Sequence, residues 1–222
     1  MRFLCLHGLG TNGKVLETQT AAIRAGLGDG HTYEFVDGTV PWPKAPELGD
    51  LFSDDEQYLA YYDPYNAESM LKALHQLERY IEEEGPFDAI MGFSHGCALS
   101  STLLLGRACE KSRWQIPFKC AIFLAAGGPV SWKALHDGEV IWLDKSYNKS
   151  QITIPTAHVW ALNDKWGLSM SAVLEQLSIP QMRHSHIHRE GHTVPGRRSP
   201  ETLRAAIKVI RRTIQEVETR SS

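Results

Sequence analysis

The segment from Ile90 to Leu99 constrains the fold of this chain more than any other part of the sequence. In it an apolar run leads into Gly-Phe-Ser-His-Gly at positions 92–96, and residues of helical pattern follow. A serine on a sharp turn from a strand into a helix needs small neighbours, because the tight backbone leaves no room for side chains there. The beginning of the helix also brings free backbone N–H groups and the positive end of the helix dipole to the turn. The segment therefore predicts a strand, a turn that exposes the hydroxyl of Ser94, and a helix.

Short apolar runs alternate with longer segments of helical period along the chain, an order typical of α/β domains with a mostly parallel sheet. The predicted strands are residues 3–6, 33–36, 89–92, 120–125, 156–162 and 182–188. The clearest helices are predicted at residues 67–84, which a Gly-Pro pair follows, and at residues 200–217. We therefore predict one α/β domain over residues 1–222, with helices on both faces of the sheet.

The charge balance of the chain argues against several classes of partner. It carries 23 Lys and Arg against 26 Asp and Glu, a net charge of −3, which offers no electrostatic footprint for nucleic acid or for an anionic membrane. No run approaches the length of about 18 apolar residues that a membrane span needs, and residues 3–6 are too short an apolar run for a signal peptide. We expect a water-soluble, cytoplasmic protein.

The four cysteines, Cys5, Cys97, Cys109 and Cys120, form no CxxC pair. Three of them, at positions 5, 97 and 120, lie in apolar runs that should be buried. A chain of this length can build a core without disulfide bonds. We therefore expect free thiols and no disulfide framework.

Ser94 needs a histidine base that a carboxylate holds in one tautomer, because a serine hydroxyl alone is a poor nucleophile. In α/β-hydrolases the acid and then the histidine follow the serine along the chain. His192 lies in a loop marked by Gly and Pro before the terminal helix, and it is the best candidate for the base. Asp164 directly follows a predicted strand, at the end where open α/β sheets place their sites, and it is the preferred acid. Asp144 and Asp137, in a less regular region, are the alternatives.

The loop after the first predicted strand has the sequence His-Gly-Leu-Gly at positions 7–10. Its glycines allow the backbone to approach a substrate closely, although the same pattern also occurs in simple turns. Its position one strand into the chain, well before Ser94, favours a role in binding negative charge that develops on a substrate. We predict that the N–H groups of Leu9 and His95 form an oxyanion hole.

His184, His186 and His188 alternate along the predicted strand 182–188 and would share one face. Histidines can ligate a metal, but no acidic or cysteine ligand accompanies these three. We interpret them as a partly exposed polar face, and we predict neither a metal nor an organic cofactor.

With these residues identified, the chain resembles the fungal family of serine hydrolases, which are small α/β-hydrolases, over nearly its whole length. The matching segments are residues 3–8, 85–88 with 92–96, 154–159 with 163–164, and 191–195. The resemblance implies an α/β-hydrolase fold in a compact form that begins at the strand before the His-Gly-Leu-Gly loop. It also implies a triad of Ser94, Asp164 and His192, the residues selected above from their positions.

Members of this family include carboxylesterases, and thioesterases that release polyketide chains from acyl carrier proteins. The resemblance therefore implies a serine acyl hydrolase that forms an acyl-enzyme and cleaves a small ester or thioester. In the second case the partner would be the acyl carrier protein of a polyketide synthase. An acyltransferase or cyclase, which would use the same acyl-enzyme, is an alternative within catalysis. The alternative outside catalysis is a binding protein that has the hydrolase fold but does not turn over a substrate.

Residues 39–66 contain four prolines and six aromatic residues, which interrupt any regular pattern. Long irregular segments often form lids or binding loops, but their aromatic residues can also pack on the core, and both interpretations stay open. A lid would exclude water during acylation. The candidate contacts for a flat or long acyl group are Trp42, Tyr61 and Tyr62 in this segment, and Trp166 and Trp132 outside it.

Three positions depart from the family pattern. His95 stands where similar proteins commonly carry glutamine, Ala161 where glycine is usual, and Glu190 where a glycine precedes the Gly-His pair. Because His95 would act through its backbone N–H, the oxyanion hole need not change. Its imidazole, beside the nucleophile, is expected to affect the leaving group or proton transfer. We therefore expect these departures to alter the substrate more than the hydrolysis.

Overall fold

A six-stranded sheet forms the centre of the computed structural model, which describes residues 1–109, 117–147 and 151–220, without the side chains of residues 109, 168 and 169. The strands are β1 (Arg2–Leu6), β2 (Thr32–Val36), β3 (Val40–Pro41), β4 (Leu59–Ala60), β5 (Ala89–Phe93), β6 (Cys120–Leu124), β7 (Thr156–Ala161) and β8 (Arg183–His188). The sheet has the order β2-β1-β5-β6-β7-β8, and each neighbouring pair is parallel. Strands β3 and β4 form a separate antiparallel pair.

Helices cover both faces of this sheet, as predicted. The α-helices of the described residues are α1 (Gly13–Leu27), α2 (Ala67–Glu84), α3 (His95–Cys109), α4 (Trp132–His136), α5 (Leu168–Gln176) and α6 (Pro200–Arg220). Helices α1 and α6 share an apolar cluster with one face, and α2 and α3 share a second cluster with the other. In the described ranges, no helix combines the length and the apolar character that crossing a membrane requires.

Strand β1 contributes to both layers of the core. Successive side chains of a strand point to opposite faces, so Leu4 and Leu6 join the cluster with α2 and α3, and Phe3 and Cys5 join the cluster with α1 and α6. Each fully buried side chain of this size stabilises the fold by about 1.5–3 kcal/mol. Strands β5 and β6 are buried along their whole length, which explains why their sequences are continuously apolar.

Helix α2 has its predicted bounds because both of its ends carry local signals. The side chain of Asn66 accepts a hydrogen bond from the Ser69 N–H at 2.9 Å, and the N–H of Gly85 donates to the Ile81 carbonyl at 3.1 Å. Helix α6 continues beyond the predicted end at 217, to Arg220. The predicted strands 120–125, 156–162 and 182–188 are each slightly shorter in the structure.

Residues 39–66 divide into exposed and buried parts. Leu51 and Tyr65 are 76% and 89% exposed, whereas Tyr58, Tyr61 and Tyr62 are at most 7% exposed. The three buried tyrosines pack in the apolar clusters of the core. Residues 58–62 of this segment are therefore packed on the core.

Cys5, Cys97 and Cys120 are buried free thiols, as predicted. The side chain of Cys109 lies outside the described residues. Burial raises the pKa of Cys120 to about 12, so this thiol stays protonated and unreactive near neutral pH.

Candidate active site

Ser94 occupies the turn between β5 and α3 in a left-handed backbone conformation, with φ of 50°. A residue with a side chain adopts this conformation only where its surroundings hold it there. The Ser94 N–H donates to the Leu124 carbonyl at 3.0 Å, and the Ser94 carbonyl accepts from the N–H groups of Gly127 at 3.0 Å and Ala98 at 3.2 Å. These hydrogen bonds fix the turn that presents the hydroxyl.

The two glycines of the turn have no room for a side chain. A Cβ at Gly92 would lie 2.7 Å from the backbone nitrogen of Cys97, and a Cβ at Gly96 would lie 2.2 Å from the carbonyl oxygen of Leu6. In both cases the atom in the way is backbone, which cannot move aside cheaply. The sequence argument for small residues on both sides of Ser94 therefore agrees with the geometry.

His192 lies between Ser94 and Asp164. Its Nε2 is 2.8 Å from the Ser94 Oγ, and its Nδ1 is 2.7 Å from the Asp164 Oδ2. The Asp164 side chain is fully buried and that of His192 is 14% exposed. With the carboxylate ionised, the Nδ1–H donates to Asp164, and Nε2 is left free to accept the serine proton.

Backbone groups hold the carboxylate of Asp164 in this orientation. Its Oδ1 accepts hydrogen bonds from the N–H groups of Trp166 and Gly167, both at 2.9 Å. The two alternative acids are engaged elsewhere, since Asp137 pairs with a lysine of α4 at 2.6 Å and Asp144 accepts from Ser146. Of the three candidate acids, Asp164 is the one that lies against the histidine.

The topology explains why three residues so far apart in sequence meet. Ser94 follows β5, Asp164 follows β7 and His192 follows β8. These strands are parallel, so their carboxyl ends lie at one edge of the sheet. The order of the parallel strands therefore brings these three residues together.

The predicted oxyanion donors are also at this edge. Leu9 lies in the loop after β1, and His95 is the first residue of α3, whose N–H has no partner within a helix. Within the described ranges neither N–H donates a hydrogen bond to the protein. A Cβ at Gly8 would lie 2.8 Å from the ring of Phe93, which explains the need for glycine in this loop.

The imidazole of His95 packs among tyrosines of the core. His95 is 6% exposed, the centroid of its ring lies 4.1 Å from that of the Tyr62 ring, and its Nε2 accepts the N–H of Tyr61 at 3.2 Å. Burial lowers the pKa of His95 to about 3, so the ring is neutral near pH 7. The side chain is therefore a neutral, buried part of the core, which argues against the expectation that this imidazole influences the leaving group or proton transfer.

Two of the predicted substrate contacts are also part of the core. Tyr62 has no exposed surface and Tyr61 is 7% exposed, so neither can contact a substrate in this conformation. Their rings pack against His7 and His95. The sequence alone could not distinguish such packing from contact with a substrate. Trp42 is half-buried and Trp166 is 71% exposed, and both are accessible to a ligand. Trp132 packs against Arg107 in α3.

The three histidines of β8 share one face, as predicted, but it is the more buried face of the strand. His184 pairs with Glu216 of α6 at 2.8 Å, and the rings of His186 and His188 stack with centroids 6.1 Å apart. Among the described residues no group of three or more potential ligands could hold a metal ion. The polar face is therefore an inner face that packs toward α6.

The structure adds contacts that the sequence analysis missed. Glu190 accepts a hydrogen bond from the Thr202 hydroxyl at 2.6 Å, so its carboxylate holds the His192 loop to the first turn of α6. The two N–H donors of Asp164 were missed as well. An aspartate followed three residues later by glycine is a turn signal that could have identified them.

A family model and curated relatives agree on the class of protein. A family model described as "Serine hydrolase (FSH1)" matches residues 1–202. Esterase FPY3 of Fusarium mangiferae is 42% identical over 198 residues, which are 88% of this chain and 88% of the relative. Hydrolase phiM of a fungal species is 29% identical over 196 residues, 87% of this chain and 86% of the relative.

A solved carboxylesterase from Mesorhizobium loti superposes with a TM-score of 0.62 at 16% identity, over 95% of this chain and 88% of that chain. A likeness at this identity concerns the fold. It confirms the α/β-hydrolase architecture that the family resemblance implied.

Proposed function

This chain belongs to the FSH1 family of serine hydrolases, and we propose that it is an acyl hydrolase with a triad of Ser94, His192 and Asp164 in a single catalytic domain. The observation that carries this proposal is the unbroken line of hydrogen bonds from the buried carboxylate to the serine hydroxyl, at 2.7 and 2.8 Å. A serine hydroxyl with this support is an activated nucleophile. The hypothesis of a binding protein without turnover has no comparable support.

In the proposed first step, the Ser94 Oγ attacks the carbonyl carbon of an ester while the His192 Nε2 takes its proton. The Asp164 carboxylate keeps the Nδ1–H in place and stabilises the imidazolium that forms. The carbonyl oxygen becomes an oxyanion, and the N–H groups of Leu9 and His95 donate to it. Collapse of the intermediate expels the alcohol or thiol, which takes the proton from His192, and leaves the acyl group on Ser94.

In the second step, water gives its proton to His192 and attacks the acyl-enzyme. The oxyanion forms in the same place, and its collapse breaks the bond to the Ser94 Oγ, which recovers the proton from the imidazolium. The products are the free acid and the restored enzyme. Every bond and proton of the cycle is supplied by the substrate, water and these side chains.

The substrate class follows from the family at a coarse level. The relative named as an esterase supports a small-molecule ester. The finer proposal is release of an acyl or polyketide chain from a thioester on an acyl carrier protein, which rests on the family resemblance described above. Exposed indole surface at Trp166, whose backbone binds the acid Asp164, supports an apolar acyl group beside the triad.

We also propose that the part of residues 39–66 before Tyr58 covers the oxyanion side of the site. The N–H of Ala45 donates to the Gly10 carbonyl at 2.9 Å, and a Cβ at Gly10 would lie 2.3 Å from the Pro43 carbonyl oxygen. Trp42 comes directly before these contacts in the chain. This position supports a role for Trp42 in contacting the substrate.

The test of the triad is intact-mass analysis after treatment with a fluorophosphonate, which modifies an activated serine without a known substrate. We expect one adduct on the wild type, none on Ser94→Ala, and strongly slowed labelling of His192→Ala. Ser146→Ala is the matched control, because this exposed serine bonds with Asp144 and should leave labelling unchanged. Absence of an adduct on folded wild-type protein would contradict the proposal.

The substrate class is tested with pairs of compounds that share one acyl group, an ethyl ester and an N-acetylcysteamine thioester. A thioesterase should show the higher kcat/KM on the thioester and release the free acid. A clear preference for the oxygen ester would contradict the carrier-protein assignment and leave an esterase.

A further inference from the structure

The segment around β4 contacts the elements that carry both proposed oxyanion donors. After Leu9 in the chain, the N–H of Gly10 donates to the Leu59 carbonyl at 3.0 Å, and the N–H of Leu59 donates to the Thr11 carbonyl at 2.8 Å. These two bonds form an antiparallel bridge between the loop and β4. One side of the Leu9 peptide is therefore anchored to β4.

Tyr61, which directly follows β4, anchors the other side of the same loop. Its hydroxyl accepts the N–H of His7 at 2.8 Å and donates to the Val36 carbonyl, at the end of β2, at 2.7 Å. The hydroxyl thus uses both of its hydrogen-bonding functions in a buried place. The loop is held before and after Leu9 by adjacent residues of one segment.

Tyr61 also contacts the element that carries the second donor. Its N–H donates to the His95 Nε2 at 3.2 Å, and its ring lies 5.8 Å from the His95 ring at an angle of 17°. Its ring centroid is 4.5 Å from that of His7. A single residue therefore contacts His95, the start of α3, and His7, the start of the loop that carries Leu9.

Tyr61 also borders an open pocket of about 310 Å³, whose lining includes charged side chains such as Asp37 and Arg79. Its ring is therefore not enclosed on every side. The two hydrogen bonds of its hydroxyl are the polar contacts that hold the ring to His7 and Val36.

We propose that Tyr61 is a positioning residue that sets the spacing of the Leu9 and His95 N–H groups around the oxyanion. The proposal rests on the acyl hydrolase function proposed above. Donors aimed at an oxyanion act mainly in the transition state, and a displacement of about 1 Å can cost about 100-fold in rate. Tyr61 touches neither substrate nor reacting atoms, and it acts through the backbone of its two neighbours.

The test compares Tyr61→Phe with Tyr62→Phe on a p-nitrophenyl ester. Both variants remove one buried phenolic hydroxyl from adjacent residues, but the Tyr62 hydroxyl has no hydrogen-bond partner in the described part of the chain. We expect Tyr61→Phe to lower kcat by about 10- to 100-fold with KM nearly unchanged, because only oxyanion stabilisation is lost. Tyr62→Phe should keep the wild-type kcat and KM.

A second readout uses a trifluoromethyl ketone, which adds to the serine hydroxyl and forms a stable oxyanion. Its inhibition constant should rise in Tyr61→Phe by the same factor as kcat/KM falls, as expected for an analogue of the intermediate. Loss of folded protein would instead lower the active fraction, which fluorophosphonate titration measures, with unchanged constants for the remaining sites. If Tyr61→Phe does not fold, His95→Leu removes the acceptor of the Tyr61 N–H and should show the same pattern.

Wild-type values of kcat and of the inhibition constant in the folded variants would overturn the role of Tyr61 and leave the triad intact. An equal effect of Tyr62→Phe would also overturn it, because the effect would then be general to the cluster. A wild type that neither reacts with the fluorophosphonate nor hydrolyses the ester would overturn both proposals together.

Discussion

The proposed triad and the cluster of His7, Tyr61 and His95 lie at the same edge of the sheet, but their histidines have opposite surroundings. His192 is partly exposed and bonds to a carboxylate, the surroundings that the proposed base requires. His7 and His95 are buried, and their nitrogens bond to backbone groups of Gly8, Gly38 and Tyr61. Burial lowers the pKa of both rings, to about 3 for His95. Exposure and partner, rather than residue type, decide whether an imidazole acts as a base or as a fixed hydrogen-bonding group.

The largest effect that would sharpen this comparison is expected from Asp164→Asn. An amide cannot hold the Nδ1–H of His192 as the carboxylate does, so the ring can adopt the tautomer that cannot accept the serine proton. We expect kcat for a p-nitrophenyl ester to fall by about 10⁴-fold. The free energy of unfolding should stay nearly unchanged. Asp144→Asn is the control, since Asp144 bonds to Ser146 away from the histidine. Equal losses in the two variants would mean that Asp164 is not the acid.

The three residues of the proposed triad could be selected from the sequence because each of them lies beside a backbone signal. Ser94 has a glycine two residues away on each side, Asp164 follows a buried strand, and His192 lies in a loop with glycine and proline. These signals depend on local geometry, which a sequence contains. The parallel strand order then brings the three residues together without further information.

The roles of Tyr61 and Tyr62 were not predictable in the same way. Both lie in an irregular segment, where no periodicity separates buried from exposed positions. Their burial depends on the pairing of β3 with β4, each only two residues long, and on contacts across the fold to the loop after β1 and to α3. The same holds for the His95 imidazole, whose neighbours come from distant parts of the chain. Local signals indicated the residues of the proposed triad, whereas tertiary contacts decided which side chains surround them.

A second prediction concerns the rigidity of the serine turn. Gly96→Ala places a Cβ 2.2 Å from the Leu6 carbonyl oxygen, so β1 or α3 must shift. We expect the free energy of unfolding in urea to fall by about 3 kcal/mol or more, and the ester hydrolysis to fall with it. Gly30→Ala is the control, because a Cβ there meets nothing within 4 Å, and its stability should stay within about 0.5 kcal/mol. A stable and active Gly96→Ala protein would contradict the tight approach.

A third prediction concerns the pH dependence of stability that the buried His95 causes. In the folded protein, burial lowers the pKa of His95 to about 3, whereas the unfolded chain takes up this proton near pH 6.5. The contribution of the neutral His95 ring to the free energy of unfolding is therefore complete above about pH 6.5, and it is lost as the pH falls toward 3. Below pH 6.5 the free energy of unfolding should fall by about 1.4 kcal/mol per pH unit for this residue.

Urea unfolding between pH 7.5 and 5 measures this slope. We expect His95→Gln to have a shallower slope than the wild type, whatever its stability at pH 7.5. His75→Gln is the control, because it removes an exposed histidine of α2 and leaves the buried ring of His95 in place. Equal slopes in the wild type and His95→Gln would show that the buried ring does not resist protonation.

The smallest effect is expected at Trp166, the exposed counterpart of the buried tyrosines. Its indole is 71% exposed and its backbone binds Asp164, so its truncation should remove contact with an acyl chain without disturbing the core. We expect Trp166→Ala to raise KM for an octanoyl ester by about 2- to 10-fold, equivalent to a loss of about 0.4–1.4 kcal/mol of apolar contact. KM for an acetyl ester should barely change, because a short chain does not reach the indole. Tyr65→Ala, which truncates another exposed aromatic side chain, is the control and should leave both values unaltered. If Trp166→Ala changes neither KM, or changes both equally, the exposed aromatic residue does not select the acyl group, and chain-length preference must come from elsewhere in the site.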